Sequence, residues 1–554
     1  MVLCNKKGKK GVKFMRKRFN KVIIFLMIIT TISGCNIDNK VPSSKNSKFN
    51  KVEFNDVKRN KTNMDKKQGV YYEIFVRSFA DSDGDGIGDL NGVKEKLSYL
   101  KELGVEGIWL MPITESESYH GYDVVDYKAI EKDYGTMEDF EKLLEEAHKL
   151  NIKVIMDLVV NHTSSSHPWF KESASSPNSK YRDYYRWVTK DDKDNYIANA
   201  VSDFGSGNVW HKKNGAYYYG IFWSEMPDLN FNNEAVREEI KDIAKFWLKK
   251  GVDGFRLDAA RHIYGVHEFE EESDPLNKNL QWWNEFASAC EEVNKDVYLV
   301  GECWDESGKD VSAYAQPFDT IFNFDVSADL STAVLSGSAV IDGKEFSESI
   351  EKSYNRYKSI DINFIDGVFA TNHDQNRIFS MCETEEKAKL AAMIYMTLPG
   401  NQYIYYGEEI GMRGMKPDEN IREPFVWTSG LKEPNTTWER SNYNDDLTPL
   451  DKQKNDKNSM YNFYKKIIDL RKSTPALYNG DYKAIDTDNN KVMAYERKKD
   501  DNKVYVIHNF SEKEQSITIK GIEGMKIKYS NNSKDSIKGS IIKIKPLSSI
   551  VISN

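Results

Sequence analysis

From residue 69 onward, short apolar runs alternate with stretches whose apolar residues recur every three or four positions, and the alternation repeats eight times. The runs at 70–79, 105–113, 153–160, 252–257, 297–301, 320–324, 367–371 and 402–406 predict strands. Leu90, Val93, Leu97, Leu100 and Leu103 space a helix after the first; Phe140, Leu143, Leu144, Ala147 and Leu150 space one after the second. Further helices are expected over 235–250, 282–293, near 350–357, over 385–398 and over 461–471. The 153–160 run is almost wholly apolar, as a strand covered on both faces requires. Eight such units predict an α/β chain closed into a (β/α)8 barrel, the TIM-barrel class. An open doubly wound sheet is the alternative, but no GxGxxG follows the first strand.

The pattern breaks once, over 163–227, in a stretch rich in Tyr, Trp, Asp, Asn and Ser that is too long for a plain loop. It reads as a small inserted domain after strand 3, which divides the barrel into 69–162 and 228–476. After 476 the helical period stops. Short β runs such as 504–508 and 541–544, separated by Asn, Asp and Gly, predict a C-terminal antiparallel β-sandwich over 477–554.

In such a barrel, chemistry sits at the C-terminal ends of the strands. Strand 2 runs into Tyr119-His120-Gly121-Tyr122-Asp123, and strand 3 ends Asp157-Leu158-Val159-Val160-Asn161-His162. Strand 4 ends Arg256-Leu257-Asp258-Ala259-Ala260-Arg261-His262, strand 5 ends Gly301-Glu302, and strand 7 ends Asn372-His373-Asp374. A buried carboxylate is costly unless paired, so acids and histidines at five ends of one face point to a site. Arg256 is two residues from Asp258, on the same side of its strand, where it holds the carboxylate ionised. Asp258 and Glu302 end neighbouring strands ~4.8 Å apart. That suits a retaining glycosidase, whose carboxyls lie ~5–5.5 Å apart, better than an inverting one.

The motifs DLVVNH at 157–162, GFRLDAARH at 254–262, GECW at 301–304 and ATNHD at 370–374 resemble the α-amylase family, family 13 of the glycoside hydrolases. The resemblance covers residues 70–554. It implies Asp258 as nucleophile, Glu302 as general acid/base and Asp374 as transition-state stabiliser. It also implies His162, Arg256 and His373 around the scissile sugar, Tyr122 stacked on it and His120 in an HGY motif. Arg261-His262 resembles a Lys-His pair that contacts sugars further along the glucan. Met226-Pro227-Asp228-Leu229-Asn230 resembles the MPDLN of the neopullulanase-like and intermediary subgroups, and Ala259 favours α-1,4 over α-1,6 linkages. The implied activity is retaining hydrolysis of α-1,4 bonds in starch and related α-glucans. Alternatives are a cyclomaltodextrinase, neopullulanase or transglycosylase and, more remotely, a non-catalytic amylase-like surface protein.

Asp81, Asp83, Asp85, Ile87 (through its carbonyl) and Asp89 place oxygen ligands at alternate positions among glycines, resembling an EF-hand-type Ca²⁺ loop. Asn161 is a candidate for a second Ca²⁺, a site the resemblance implies between barrel and insert.

Residues 15–21 are basic, 22–32 are apolar and too short to span a membrane, and Ile32-Ser33-Gly34-Cys35 follows. This resembles a bacterial lipobox, with 1–34 a signal peptide (true start possible at Met15) and Cys35 lipidated. Residues 35–68, rich in Lys, Asn and Ser, are read as a flexible tether from the membrane. The chain is therefore expected to be an exported cell-surface lipoprotein. Its 78 basic against 86 acidic residues argue against a nucleic-acid partner. Five cysteines without a CxxC pair exclude a disulfide scaffold and a cysteine zinc site.

Overall fold

The computed structural model describes residues 59, 61–189, 202, 207–265, 275–304, 311–430 and 433–554. Eight parallel strands close the expected barrel: β1 (Val70–Ile74), β2 (Gly107–Leu110), β3 (Lys153–Leu158), β4 (Gly254–Leu257), β5 (Tyr298–Gly301), β6 (Thr320–Phe322), β7 (Ile365–Phe369) and β8 (Asn401–Tyr405). Pairing of β8 with β1, Tyr403 opposite Tyr71, seals the ring. The predicted first strand stops early, because Val76–Phe79 turns into a helix. The helix expected after it is split into Leu90–Glu95 and Leu97–Leu103.

Successive side chains on a strand face opposite ways. On β1, Val70, Tyr72 and Ile74 pack outward against the helices. Tyr71 points inward and meets Trp109, Ile155, Tyr298, Phe322 and Tyr403 in a plug that fills the barrel. Each large ring removes ~150–250 Å² from water, worth roughly 4–6 kcal/mol at 25 cal/mol per Å², so the interior is a core and not a pore. Gly107 leaves room for this plug: a Cβ there would lie 2.4 Å from the Tyr71 ring. Outside, helix Met137–Lys149 starts from a Thr136/Asp139 capping box and buries Phe140, Leu143, Leu144 and Ala147. Helix Glu234–Lys250 is capped by Asn233 and ends at Gly251, whose φ of +105° favours glycine.

The insert carries helix Pro168–Ser175 and a three-stranded antiparallel sheet in the order Trp187–Val188, Ala216–Tyr219, Trp210–Lys213. Its two ends are stitched to each other and to the barrel by bridges from His162 to Asp228 and Tyr185 to Leu229. The C-terminal region is the expected pair of antiparallel sheets, one of five strands and one of three. Val492, Ala494 and Ile507 of one meet Ile517, Ile542 and Ile544 of the other.

One boundary needs correction. The expected tether to residue 68 ends sooner, because Arg59, Lys61 and Lys67 are buried against the barrel. Arg59 pairs with Glu291 at 2.7 Å and with buried Asp319 at 3.0 Å, and Lys67 reaches Asp319 at 2.9 Å. Lys61 pairs with Asp361 at 2.9 Å. Asp319 and Asp361 precede β6 and β7, so this strap lies at the N-terminal ends of the strands. Lysines and an arginine read as solvated because their partners lie more than 200 positions away. The expected signal peptide, Cys35 and the tether as far as residue 58 lie outside the described residues.

Candidate active site

Strand parity assembles the site. Tyr71, Ile155 and Val300 face the barrel interior, so Glu73, Asp157 and Glu302, each two residues further, face the same way at its C-terminal end. Phe255 and Leu257 face the helices, which turns Arg256 and Asp258 inward.

Arg256, 1% exposed, organises the acids. Its Nη1 donates to Asp258 Oδ1 at 2.6 Å and to Asp157 Oδ1 at 2.9 Å, while Nη2 lies 2.8 Å from Glu302 Oε2. Leu257 sits opposite Gly301 in the β4–β5 register, so Asp258 and Glu302 are neighbours across the sheet. The next residue, Ala259, takes a φ of +46°, strained for a residue with a Cβ. That turn aims the Ala259 N–H at Glu302 Oε2, 2.9 Å away. Burial pushes both the Asp258 and the Glu302 carboxyls up, and the Arg256 charge opposes it. Asp157 is pushed up to about 7 by burial, again against Arg256.

Asp374 stands at the rim, its side chain 48% exposed. Partial burial works against its charge, but His373 (3.1 Å) and Arg422 (3.0 Å) hold its carboxyl well below the usual carboxylate range. His373 is fully buried. Burial opposes its charge, yet Asp374 and Glu73 raise it to about 10. Its Nδ1 lies 2.5 Å from Glu73 Oε1 and its Nε2 2.7 Å from the Tyr122 hydroxyl. The Tyr122 ring stacks on His373 at 5.5 Å.

The remaining predicted residues surround this centre. His162 Nε2 meets the Tyr122 carbonyl at 3.0 Å, and burial lowers its pKa to about 4. His120 Nδ1 accepts from the Tyr122 N–H at 3.1 Å. Phe222 of the insert packs between the rings of His162 and His262, at 5.3 and 6.0 Å. Arg261 donates to the Trp304 carbonyl at 3.1 Å. Asn161 is not part of an acidic cluster among the described residues; it lies 2.8 Å from the His262 carbonyl through Nδ2 and 3.2 Å from His162 Nδ1 through Oδ1.

In the 81–89 loop, Asp81, Asp83 and Asp89 bring ligand oxygens within 4.8 Å of one another. Asp81 accepts from Gly84 N at 2.7 Å and Gly86 N at 2.9 Å, and both glycines have positive φ. Asp89 accepts from Ser82 N at 2.8 Å. Asp81 and Asp89 are buried, and among the described residues no lysine or arginine pairs with this cluster. An all-oxygen set of uncompensated anions fits a hard cation. Asp85 is outside the group; its Oδ1 accepts from Ile87 N at 2.7 Å.

Sequence reasoning missed Glu73, Arg422 and the pairing role of Asp157. A charged residue at an inward position of an otherwise apolar strand was the available signal for Glu73. Arg422 lies in an aperiodic loop that carries none.

A family model for "Alpha amylase, catalytic domain" matches residues 73–480, and one for "Alpha-amylase SusG C-terminal domain" matches 492–551. "Alpha-amylase 3" of Dictyoglomus thermophilum is 47% identical over 493 residues, covering 88% of this chain and 93% of that protein. A "4-alpha-glucanotransferase" of Thermotoga neapolitana is 35% identical over 452 residues, covering 80% of this chain and 96% of the relative. The crystal structure of α-amylase from H. orenii matches with a TM-score of 0.80 and 44% identity, over 88% of this chain and 99% of that one.

Proposed function

The chain belongs to the α-amylase family of glycoside hydrolases, and on that premise we propose that it hydrolyses α-1,4-glucosidic bonds in starch and maltodextrins with retention of configuration. The observation that carries this reading is one guanidinium, Arg256, bound to Asp258 and Glu302 at once. Asp258 attacks C1 of the sugar as the glycosidic bond breaks, and Glu302 gives its proton to the departing oxygen. The Glu302 carboxylate then takes a proton from water as that water attacks C1 and releases Asp258. The upward push of burial on Glu302 supports its starting as the acid. Asp374, ionised between His373 and Arg422, stabilises positive charge developing on the sugar. Tyr122, His120 and His162 contact that sugar; Arg261 and His262 contact the glucan beyond it.

Ala259 supports α-1,4 rather than α-1,6 cleavage. A second reading, glucanotransferase, is favoured by the relative of that name at 35% identity. A time course of products from soluble starch, pullulan and cyclodextrin, with proton NMR of the first product, tests both. The first reading expects the α-anomer and net release of reducing ends. A β-anomer rejects retention; chain lengthening without new reducing ends selects transfer.

The 81–89 loop is proposed to hold Ca²⁺ through Asp81, Asp83 and Asp89, where the ion neutralises the buried acids and stiffens the turn after β1. Cys35 is proposed to carry lipid that holds the exported enzyme at the cell surface. The basic start, apolar core and Ile-Ser-Gly-Cys box support that reading. Intact-mass analysis of the native protein checks it: an unmodified N-terminus elsewhere rejects the anchor.

A further inference from the structure

We propose that Glu73 is a positioning residue: from the first barrel strand it holds His373 as an imidazolium, whose Nε2–H then serves as a charged donor beside Asp374 and the sugar being cleaved. The inference deepens the reading of Asp374 given above and rests on it.

The proton count follows from the hydrogen bonds. Tyr122 Oη lies 3.0 Å from Asp157 Oδ2, and that carboxylate is also bound by Arg256, so the tyrosine proton is spent on Asp157. The same Tyr122 oxygen lies 2.7 Å from His373 Nε2. With its proton committed, it can only accept, so Nε2 carries a hydrogen. Asp374 Oδ2, 3.1 Å away on the same nitrogen, requires the same. On the other side of the ring Nδ1 faces Glu73 Oε1 at 2.5 Å, both side chains being 1% exposed or less. A carboxylate against a bare imidazole lone pair is repulsive, so Nδ1 carries a hydrogen too.

The other charged groups around the ring agree with this. Arg256 reaches Tyr122 and not the imidazole, at 3.5 Å, and Trp109 offers the ring only an edge contact at 5.6 Å. Arg422 donates to the His373 carbonyl at 3.0 Å and to Asp374, so its charge is taken up beside the ring. Within this group, Glu73 is the carboxylate directed at Nδ1. A neutral residue in its place leaves the imidazole free to lose a proton as pH rises. Nε2 then ceases to be an obligatory donor, and Asp374 loses one of its two cationic neighbours.

Glu73→Gln keeps the shape and a hydrogen-bonding oxygen while removing the charge, and Glu73→Asp keeps the charge at shorter reach. With maltoheptaose as substrate, Glu73→Gln is expected to move the alkaline limb of the kcat profile acidward by about one pH unit. The loss of kcat approaches tenfold on the alkaline side of the limb, since one pKa unit is a factor of ten, and is small at neutral pH. KM is expected to stay within about twofold, and Glu73→Asp is expected to restore part of the shift. Packing loss alone would lower activity at every pH alike. A folded Glu73→Gln enzyme whose pH profile superimposes on wild type overturns the proposal. Should that variant not fold, nitrogen NMR of the wild-type histidines decides without any activity measurement. Both ring nitrogens of His373 protonated at pH 8 supports the proposal, and a neutral tautomer overturns it. Wild-type protein inert on all α-glucans, yet showing the imidazolium, would mean the functional reading has failed while this one stands.

Discussion

Both ends of the barrel bury charge, and they do it in opposite ways. At the N-terminal ends of the strands, Asp319 receives Arg59 at 3.0 Å, Lys67 at 2.9 Å and the Leu299 N–H at 2.9 Å. Burial works against its ionisation, but Arg59, Lys67 and Lys61 outweigh it, and the carboxyl is lowered. At the C-terminal ends, Arg256 is shared among Asp157, Asp258 and Glu302, with His373 acting on the two aspartates from further off. One guanidinium shared by three acids, even with His373 nearby, does not cancel burial, and all three carboxyls are raised. Full compensation makes a fastening. Incomplete compensation leaves acids able to trade protons. Local charge arithmetic separates Asp319 from Asp157, Asp258 and Glu302, while Asp374, lowered by His373 and Arg422, follows the compensated pattern at the C-terminal end.

The largest effect is expected from two substitutions in the C-terminal cluster. Asp258→Asn and Glu302→Gln are expected to lower starch hydrolysis by on the order of 10³-fold or more, with circular dichroism unchanged. Either variant retaining near-full activity while folded sinks the assignment. Next in size, Asp319→Asn leaves Lys67 buried without its anion and Arg59 with Glu291 alone, a change worth about 3–5 kcal/mol of stability. Denaturant unfolding should show that loss, whereas kcat at moderate temperature should stay near wild type. If kcat falls and stability holds, the two ends are not distinct in the way described.

The loop after β1 gives a third, smaller effect. Ca²⁺ at a hundredfold excess over Kd stabilises the folded state by about 2.7 kcal/mol, so chelator should lower Tm more than it lowers turnover. Asp83→Ala should reproduce the drop and blunt the chelator, while Asp85→Ala, outside the cluster, should do neither. A reversed ranking of these two variants would put the ion elsewhere.

A further test is in pH. His373 is raised to about 10, so its contribution to stability is fully present below its ordinary value near 6.5 and is lost as pH rises through about 10. Asp374 and Asp319 are lowered, so their contributions are present above the ordinary carboxylate value and are lost as pH falls. The Tm gap between wild type and His373→Gln should therefore shrink between pH 6.5 and 10, while the gap for Asp319→Asn stays open there. A constant His373 gap across that range would break the comparison.

Much of this was legible beforehand. The eight strands, with Asp258, Glu302 and Asp374 at three of their ends, stand at or within a few residues of their expected places, because strand parity and helical period are local properties. DLVVNH, GFRLDAARH, GECW and ATNHD each combine an apolar strand with the polar group at its end, so one segment encodes both the fold and the placement. The C-terminal sheets followed from turn residues and short β runs for the same reason. Arg59, by contrast, looked like one more tether cation, and Asp85 looked as good a ligand as Asp83.

What the sequence alone determined, then, is whatever one segment can settle by itself: alternation, the facing of each strand, and the acids at five strand ends. What only the tertiary structure decided is which distant groups meet. Glu73 finds His373 across 300 positions, Arg422 finds Asp374 from an aperiodic loop, and Arg59 finds Asp319 at the other end of the barrel. Closing the ring of eight strands brings these partners together. A charge in the sequence carries no mark of whether water or another buried charge will face it, and that choice is made only when the barrel shuts.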